Sequence, residues 1–277
     1  MLAAEAASQS VEHIISFCEV LHRELAFYVG CLNLYEELTR KGEEICFPVP
    51  HSMEDLTHTF SDLYDISLSL SLPDRIVGNC ADMGERMLAL ITGANHGGKS
   101  TFLRSIGQAQ LMMECGMFVP AKAFAANITS GIFTHYKREE DSSMERGKLD
   151  EELHRMSLII DEIQPWGMVL FNESFASTNE REGAEIARQI LRGLLDENIK
   201  VFFVTHMHDL SSSLMKRYGK EILSLCAERR PDGSRSFRLI EGTPLSTSFG
   251  EDIYQKVFGE EIEAAEEEAV AEEREMI

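Results

Sequence analysis

Apolar residues in the first forty positions recur at steps of three and four: Ile14, Phe17, Cys18, Leu21, Leu25, Tyr28 and Val29, then Leu32, Tyr35 and Leu38. That spacing lays one stripe along a helix, so residues 1 to about 41 are expected to be helical, with Lys41-Gly42 as the stop. A helix this long needs a packing partner. It either lies on the domain that follows or forms the end of a longer arm. The pattern then changes. Phe47 to Pro50 reads as a turn. Leu63 to Leu72 (LYDISLSLSL) alternates apolar and polar residues, as a half-buried strand does. Pro73-Asp74 turns again, and Ile76-Val77 starts a further short strand. Leu88-Ala89-Leu90-Ile91 is an unbroken apolar run suited to a buried strand, and a helical stretch follows from about Gly98 to Glu114.

From there, short apolar runs alternate with helix-periodic segments. Met117–Pro120, Gly131–Tyr136, Met168–Phe171 and Val201–Thr205 read as strands. Leu149–Ile163, about Gly183–Glu197, and Met207–Tyr218 read as helices, the first ended by Pro165 and Gly167. Ile222–Ala227 and Ser236–Ile240 flank Pro231-Asp232-Gly233 as a hairpin does. Asp252–Phe258 is a last short helix. Lys137 to Gly147 is polar and aperiodic. Strands alternating with helices predict an α/β fold: a parallel or mixed sheet flanked by helices, with ligands at the carboxyl ends of the strands.

The candidate chemistry sits at those ends. After Leu88–Ile91 comes Gly93-Ala94-Asn95-His96-Gly97-Gly98-Lys99-Ser100, which fits the phosphate-loop spacing G-x-x-x-x-G-K-[ST]. Glycines let backbone N–H groups turn inward around phosphates, and a helix N-terminus adds partial positive charge at the same point. Lys99 reaches the β- and γ-phosphates, and the Ser100 hydroxyl suits Mg²⁺. The run Met168–Phe171 delivers Asn172 and Glu173, and Val201–Thr205 delivers His206. All three deliveries therefore meet at one sheet edge. Glu173 suits a base or water-orienting group, and His206 can bond the γ-phosphate or the water. Asn172 stands where a metal-binding aspartate is usual, keeping the oxygen without the charge.

Bulk properties narrow the surroundings. The 277 residues allow one large α/β domain with an appendage, and no apolar run is long enough to span a membrane. Cys18, Cys31, Cys46, Cys80, Cys115 and Cys226 are scattered without a C-x-x-C pair, which fits a reducing, cytoplasmic setting rather than a disulfide scaffold or zinc site. The net charge is −21, and the tail from Gly259 to Ile277 contains nine Glu and one Arg. Even without that tail the chain stays acidic, and its basic residues occur only as short pairs such as Lys216-Arg217. Bulk electrostatic binding of DNA by this chain is therefore disfavoured. The tail is a solvated helix or disordered.

The segment TGANHGGKSTFL resembles the Walker A run of the MutS family of DNA mismatch-repair ATPases, which belongs with the ABC-type ATPases. Gly116–Ala121 (GMFVPA), Ile132-Phe133-Thr134, the Walker B and D-loop run from Val169 to Gly183, Thr205-His206 and Ser248-Phe249-Gly250 resemble further family segments in the same order. Phe27–Leu38 resembles the family's lever helix. The resemblance covers about residues 76 to 258. It implies a P-loop NTPase of ABC/MutS type with an N-terminal helical arm, using ATP and Mg²⁺. The phosphates would meet Gly93, Asn95, Gly97, Gly98, Lys99, Ser100 and Thr101, and the adenine edge Ile76 and Val77. Ser100 and Asn172 would serve the metal, and Glu173 and His206 catalysis. A homodimer would close composite ATP sites head to tail, with Gly147, Lys148, Ser177 and Thr178 facing the partner's nucleotide.

The chain then divides into a helical arm (1–42), an ATPase domain (43–258) and an acidic tail (259–277). DNA would be reached only through regions absent from this chain. Two departures stand out. Asn172 replaces the family's aspartate, and Arg146-Gly147-Lys148-Leu149-Asp150 lacks the hydroxyl of the family's signature segment, although a helix N-terminus still falls there. The expected function is ATP binding and hydrolysis within a MutS-like DNA-repair protein, slowed by Asn172. The alternative is a nucleotide-gated dimerisation module with little hydrolysis. An ABC-transporter subunit is disfavoured because no L-S-G-G-Q segment occurs.

Overall fold

The computed structural model describes residues 2–137, 147–230, 232–244 and 254. The polar run 138–146, Pro231, the segment Ser248-Phe249-Gly250, the helix expected at 252–258 (apart from Tyr254) and the acidic tail lie outside the described residues.

The chain begins with α1 (Leu2–Lys41), ended at Gly42. Only its last third is seated on the domain: Leu38 is fully buried, Cys31 and Leu34 pack on the core, and Tyr35 meets Phe118 edge-on at 5.5 Å. Ile14, Phe17, Leu21, Leu25 and Tyr28 are exposed, so most of the apolar stripe projects beyond the domain.

The central sheet is built from β4 (Leu88–Gly93), β6 (Ile132–Tyr136), β7 (Met168–Asn172), β8 (Lys200–Val204), β9 (Ile222–Arg229) and β10 (Arg235–Glu241). Among the described residues its order is β10-β9-β4-β8-β7-β6, parallel throughout except for the antiparallel hairpin β9–β10. The mixed sheet flanked by helices is thus as the pattern predicts. Successive residues of the central strands feed opposite cores. Ala89, Ile91, Leu170 and Phe202 pack towards α3 (Lys99–Glu114), while Leu90, Val169, Phe171 and Phe203 pack towards α4 (Lys148–Glu162), α5 (Glu180–Asp196) and α6 (His208–Tyr218). Burial on both faces is why these strands read as continuous apolar runs.

A second sheet, not foreseen from the pattern, consists of β1 (Val49–His51), β2 (His58–Leu63), β3 (Asn79–Asp82) and β5 (Ala123–Asn127), in the order β1-β5-β2-β3. It corrects several expectations. Phe47–Pro50 is not simply a turn, because Val49 to His51 pair in parallel with β5; Pro50 is tolerated because β1 is an edge strand. Leu63–Leu72 is not a strand. The strand is β2, which ends at Leu63, and a short helix α2 (Ile66–Ser71) follows. Asp65 decides this: its carboxylate accepts from the Leu68 N–H at 2.9 Å and caps the helix, so a local side-chain bond overrides the alternation. Ile76-Val77 lies in a loop, and β3 begins at Asn79. Of Met117–Pro120, only Val119 pairs, in an isolated bridge to Cys46. α5 starts at Glu180 rather than Gly183, because the Asn179 side chain accepts from the Glu182 N–H at 3.0 Å. No helix among the described residues is long and apolar enough to cross a membrane.

Candidate functional site

The loop between β4 and α3 requires glycine most clearly at Gly93. Its φ is 106°, and a Cβ there would stand 2.7 Å from the Ala227 nitrogen of β9. Gly98 caps α3 in the left-handed region, so the first N–H groups of a sixteen-residue helix open onto the loop. Lys99 is 6% exposed, and its ammonium donates to the carbonyls of Gly93 and Ala94 at 3.0 Å each. Burial lowers its pKa, the Glu173 carboxylate opposes that, and the Arg235 guanidinium adds to the lowering. Lys99 thus lies within electrostatic reach of Glu173, across the mouth of the loop.

The two neighbouring strand ends complete the arrangement. The Ser100 hydroxyl donates to Asn172 Oδ1 at 2.8 Å. Glu173 follows directly with a φ of 54°, its N–H bonded to the Val204 carbonyl at 2.9 Å. His206 Nδ1 lies 3.9 Å from Glu173 Oε1, and both side chains are partly exposed. A cavity of about 830 Å³ opens in front of them. Its lining includes Asn95, Gly97, Gly98, Lys99, Ser100, Thr101 and Glu173, together with His96. Ile76, Val77, Leu68 and Leu72 also line it, together with Asp65 and Arg75. A cavity lined both by a glycine-rich loop with a lysine and by apolar side chains suits an anion attached to a flat organic group. Gly93, Asn172 and His206 are not on the cavity wall, but each directly contacts or approaches a residue that is.

Gly147, Lys148, Ser177 and Thr178 are not brought to this cavity. Gly147 and Lys148 are exposed at the N-terminus of α4. Ser177 donates to Glu152 at 3.0 Å and Thr178 to Glu182 at 2.7 Å. Arg146 lies outside the described residues.

Two residues of β10 were missed. Arg235 Nε donates to the Asn95 carbonyl at 3.1 Å, placing a second cation beside the loop. Phe237, with a φ of 60°, lines the cavity next to Gly98. The hairpin is held there by Asn79, whose amide donates to the Phe237 carbonyl and accepts from the Leu239 N–H. Nothing local in the sequence signals this contact, which joins residues about 160 apart.

Known proteins match this picture in parts. The family described as MutS domain V matches residues 89–270, and the one described as MutS2 N-terminal domain matches residues 1–41. DNA mismatch repair protein MutS of Desulforamulus reducens is 30% identical over 182 residues, which are 60% of this chain and 21% of that protein. The same-named proteins of Thermotoga neapolitana and Thermotoga petrophila are 34% and 35% identical over 128 and 127 residues, in each case 46% of this chain and 16% of theirs. The chain thus matches only about a fifth or less of the length of these relatives. The domain match runs from β4 through the phosphate loop and both neighbouring strand ends, and it takes in more than half of the chain. On that match, this chain belongs to the MutS domain V family.

Proposed function

We propose that this chain binds ATP in the cavity in front of the phosphate loop and hydrolyses it, as the ATPase part of a MutS-like DNA-repair protein. The observation that carries the reading is the presence of Glu173 on the wall of the same cavity as Lys99 and Ser100. The triphosphate lies over Gly93 to Thr101 and is neutralised by Lys99. The base lies against Ile76 and Val77, with Phe237 closing that end. Glu173 orients the attacking water, and His206, behind it, bonds the water or the γ-phosphate. Ser100 and Asn172 present two oxygen donors 2.8 Å apart beside the phosphate position, which fits Mg²⁺. Bound there, the ion would neutralise charge on the β- and γ-oxygens.

In this reading residues 1–42 form an arm, 43–258 the ATPase unit and 259–277 an acidic tail. Two chains pair head to tail, with Gly147, Lys148, Ser177 and Thr178 of each facing the other's nucleotide. DNA contacts come through regions outside this chain, in keeping with its acidity. The experiment is steady-state phosphate release from the wild type, Lys99→Ala and Glu173→Gln. Lys99→Ala is expected to lose nucleotide binding, and Glu173→Gln to keep binding but lose turnover. Turnover unchanged in both variants refutes the assignment.

A second reading, nucleotide-gated dimerisation with little hydrolysis, is favoured by the neutral Asn172 beside Ser100. ATP-dependent dimers with negligible phosphate release from the wild type would select it.

A further inference from the structure

The turn that carries Glu173 is held from behind by another element. Glu152, on the first turns of α4, is 2% exposed, and both of its carboxylate oxygens are used. Oε2 accepts from the Phe175 N–H at 2.9 Å, and Oε1 accepts from the Ser177 hydroxyl at 3.0 Å. The Glu152 backbone joins in, since its carbonyl lies 3.0 Å from His135 Nε2. A carbonyl can only accept, and burial lowers the His135 pKa, so the neutral ring carries its proton on Nε2. The Ser174 hydroxyl donates to the His135 carbonyl at 2.7 Å, and its oxygen lies 2.7 Å from His135 Nδ1. Residues 174, 175 and 177 are thereby tied to α4 and β6.

The backbone under this restraint is unfavourable. Glu173 and Phe175 have φ values of 54° and 62°, a region that non-glycine residues occupy only when their surroundings impose it. The start of α5 also makes room for it: a Cβ on Gly183 would stand 2.2 Å from the Phe175 carbonyl oxygen.

We propose that Glu152 is a positioning residue for hydrolysis, fixing the strained Glu173–Phe175 turn and setting the Glu173 carboxylate by the position of α4. The proposal rests on the reading of Glu173 as the group that orients the attacking water. Gly147 caps α4, so the helix end proposed to face a partner's nucleotide lies about 7.5 Å along the axis from Glu152. Over so short a distance the helix moves as one piece. A shift at its N-terminus displaces Glu152, then the Phe175 N–H, then Glu173 two residues earlier. One buried carboxylate thus links engagement of the partner to the water-orienting group.

The test compares the full chain with Glu152→Ala, Glu152→Asp, Glu152→Gln and Glu173→Gln. The measurements are single-turnover phosphate release, equilibrium binding of a fluorescent ATP analogue, and thermal melting. A displacement of about 1 Å at a catalytic group costs about a hundredfold in rate, so Glu152→Ala is expected to lose that much kcat with nucleotide affinity unchanged. Glu152→Asp keeps the charge but cannot reach both partners, and it shows the same split should the alanine variant fail to fold. Glu152→Gln restores most of the rate, because its amide accepts from the Phe175 N–H and donates to the Ser177 oxygen. A merely structural role would lower the melting temperature while leaving kcat per folded molecule intact. That result in Glu152→Ala or Glu152→Asp overturns the proposal, as does a parallel fall of kcat and affinity. Failure of the underlying reading looks different: the wild type releases no phosphate, or Glu173→Gln matches it, and both conclusions then fall together.

Discussion

Replacing Asn172 by Asp tests how much the missing charge beside Ser100 matters. The side chain keeps its shape, and Oδ1 already sits 2.8 Å from the Ser100 hydroxyl, so the substitution adds a charge without moving the oxygen. A divalent ion held by Ser100, with residue 172 reached through the ion's water shell, would stand about 4 Å from that charge. Two unit charges at this distance interact by about 1 kcal/mol in water, hence about 2 kcal/mol for a doubly charged ion. The water-like value applies because Ser100 is exposed to solvent. That energy corresponds to a roughly thirtyfold fall in the half-saturating Mg²⁺ concentration. The same charge repels bare phosphates, so affinity for ATP without Mg²⁺ should weaken while affinity with Mg²⁺ rises. The assay is phosphate release at saturating ATP across a Mg²⁺ titration, beside nucleotide binding in EDTA. An unchanged half-saturation point, or a lower kcat in Asn172→Asp at saturating Mg²⁺, refutes the account of Asn172 as a weakened metal contact.

Two further outcomes follow from the geometry. Phe237→Ala should weaken ATP binding by about 1 kcal/mol, or roughly fivefold, while leaving the affinity for inorganic tripolyphosphate unaltered; equal losses for both ligands would remove Phe237 from the base end of the cavity. Lys200 is buried against Asn127 and the Leu56 and Thr57 carbonyls, and burial pushes its pKa down to about 8 from 10.5. The folded state therefore binds fewer protons than the unfolded state between those values, so this stabilising contribution is full above pH 10.5 and is lost as pH falls through 8. Denaturant unfolding at pH 7.5 and 10.5 should show a gain for the wild type of about 3 kcal/mol over that of Lys200→Met, and parallel profiles would contradict it.

The polar end of the site was legible because its chemistry is local. Gly93 to Ser100 are contiguous, and Asn172, Glu173 and His206 each follow a short apolar run that reads as a buried strand. The rest depended on pairings that no window of sequence contains. The second sheet joins β2 to β5 across some sixty residues, and its edge strand includes a proline. Leu63 to Leu72 shows the alternation of a strand, yet one capping bond from Asp65 makes it start a helix that lines the cavity. Arg235 and Phe237 carry no signal in their own hairpin. They reach the loop only because Asn79, on the other sheet, bonds the backbone on both sides of Arg238.

The departures from the family pattern fall unevenly across the site. On the proposed reading, the loop geometry at Gly93, the placement of Lys99, and the approach of His206 to Glu173 at 3.9 Å would leave phosphate binding and water orientation intact. The changed positions are Asn172, which would serve the metal, and Leu149-Asp150, on the helix end that would face a partner. Glu152 lies on that same helix and holds the Glu173 turn through Phe175. On the proposed reading, loss of the signature hydroxyl would therefore weaken the partner's grip at one end of a connection whose other end is intact. Binding and hydrolysis then separate. ATP affinity would then depend on the loop, whereas turnover would depend on the metal contact and on how firmly a partner fixes α4. Turnover per chain should accordingly rise with protein concentration while ATP affinity does not, and a rate constant across the monomer–dimer range would break the argument at α4.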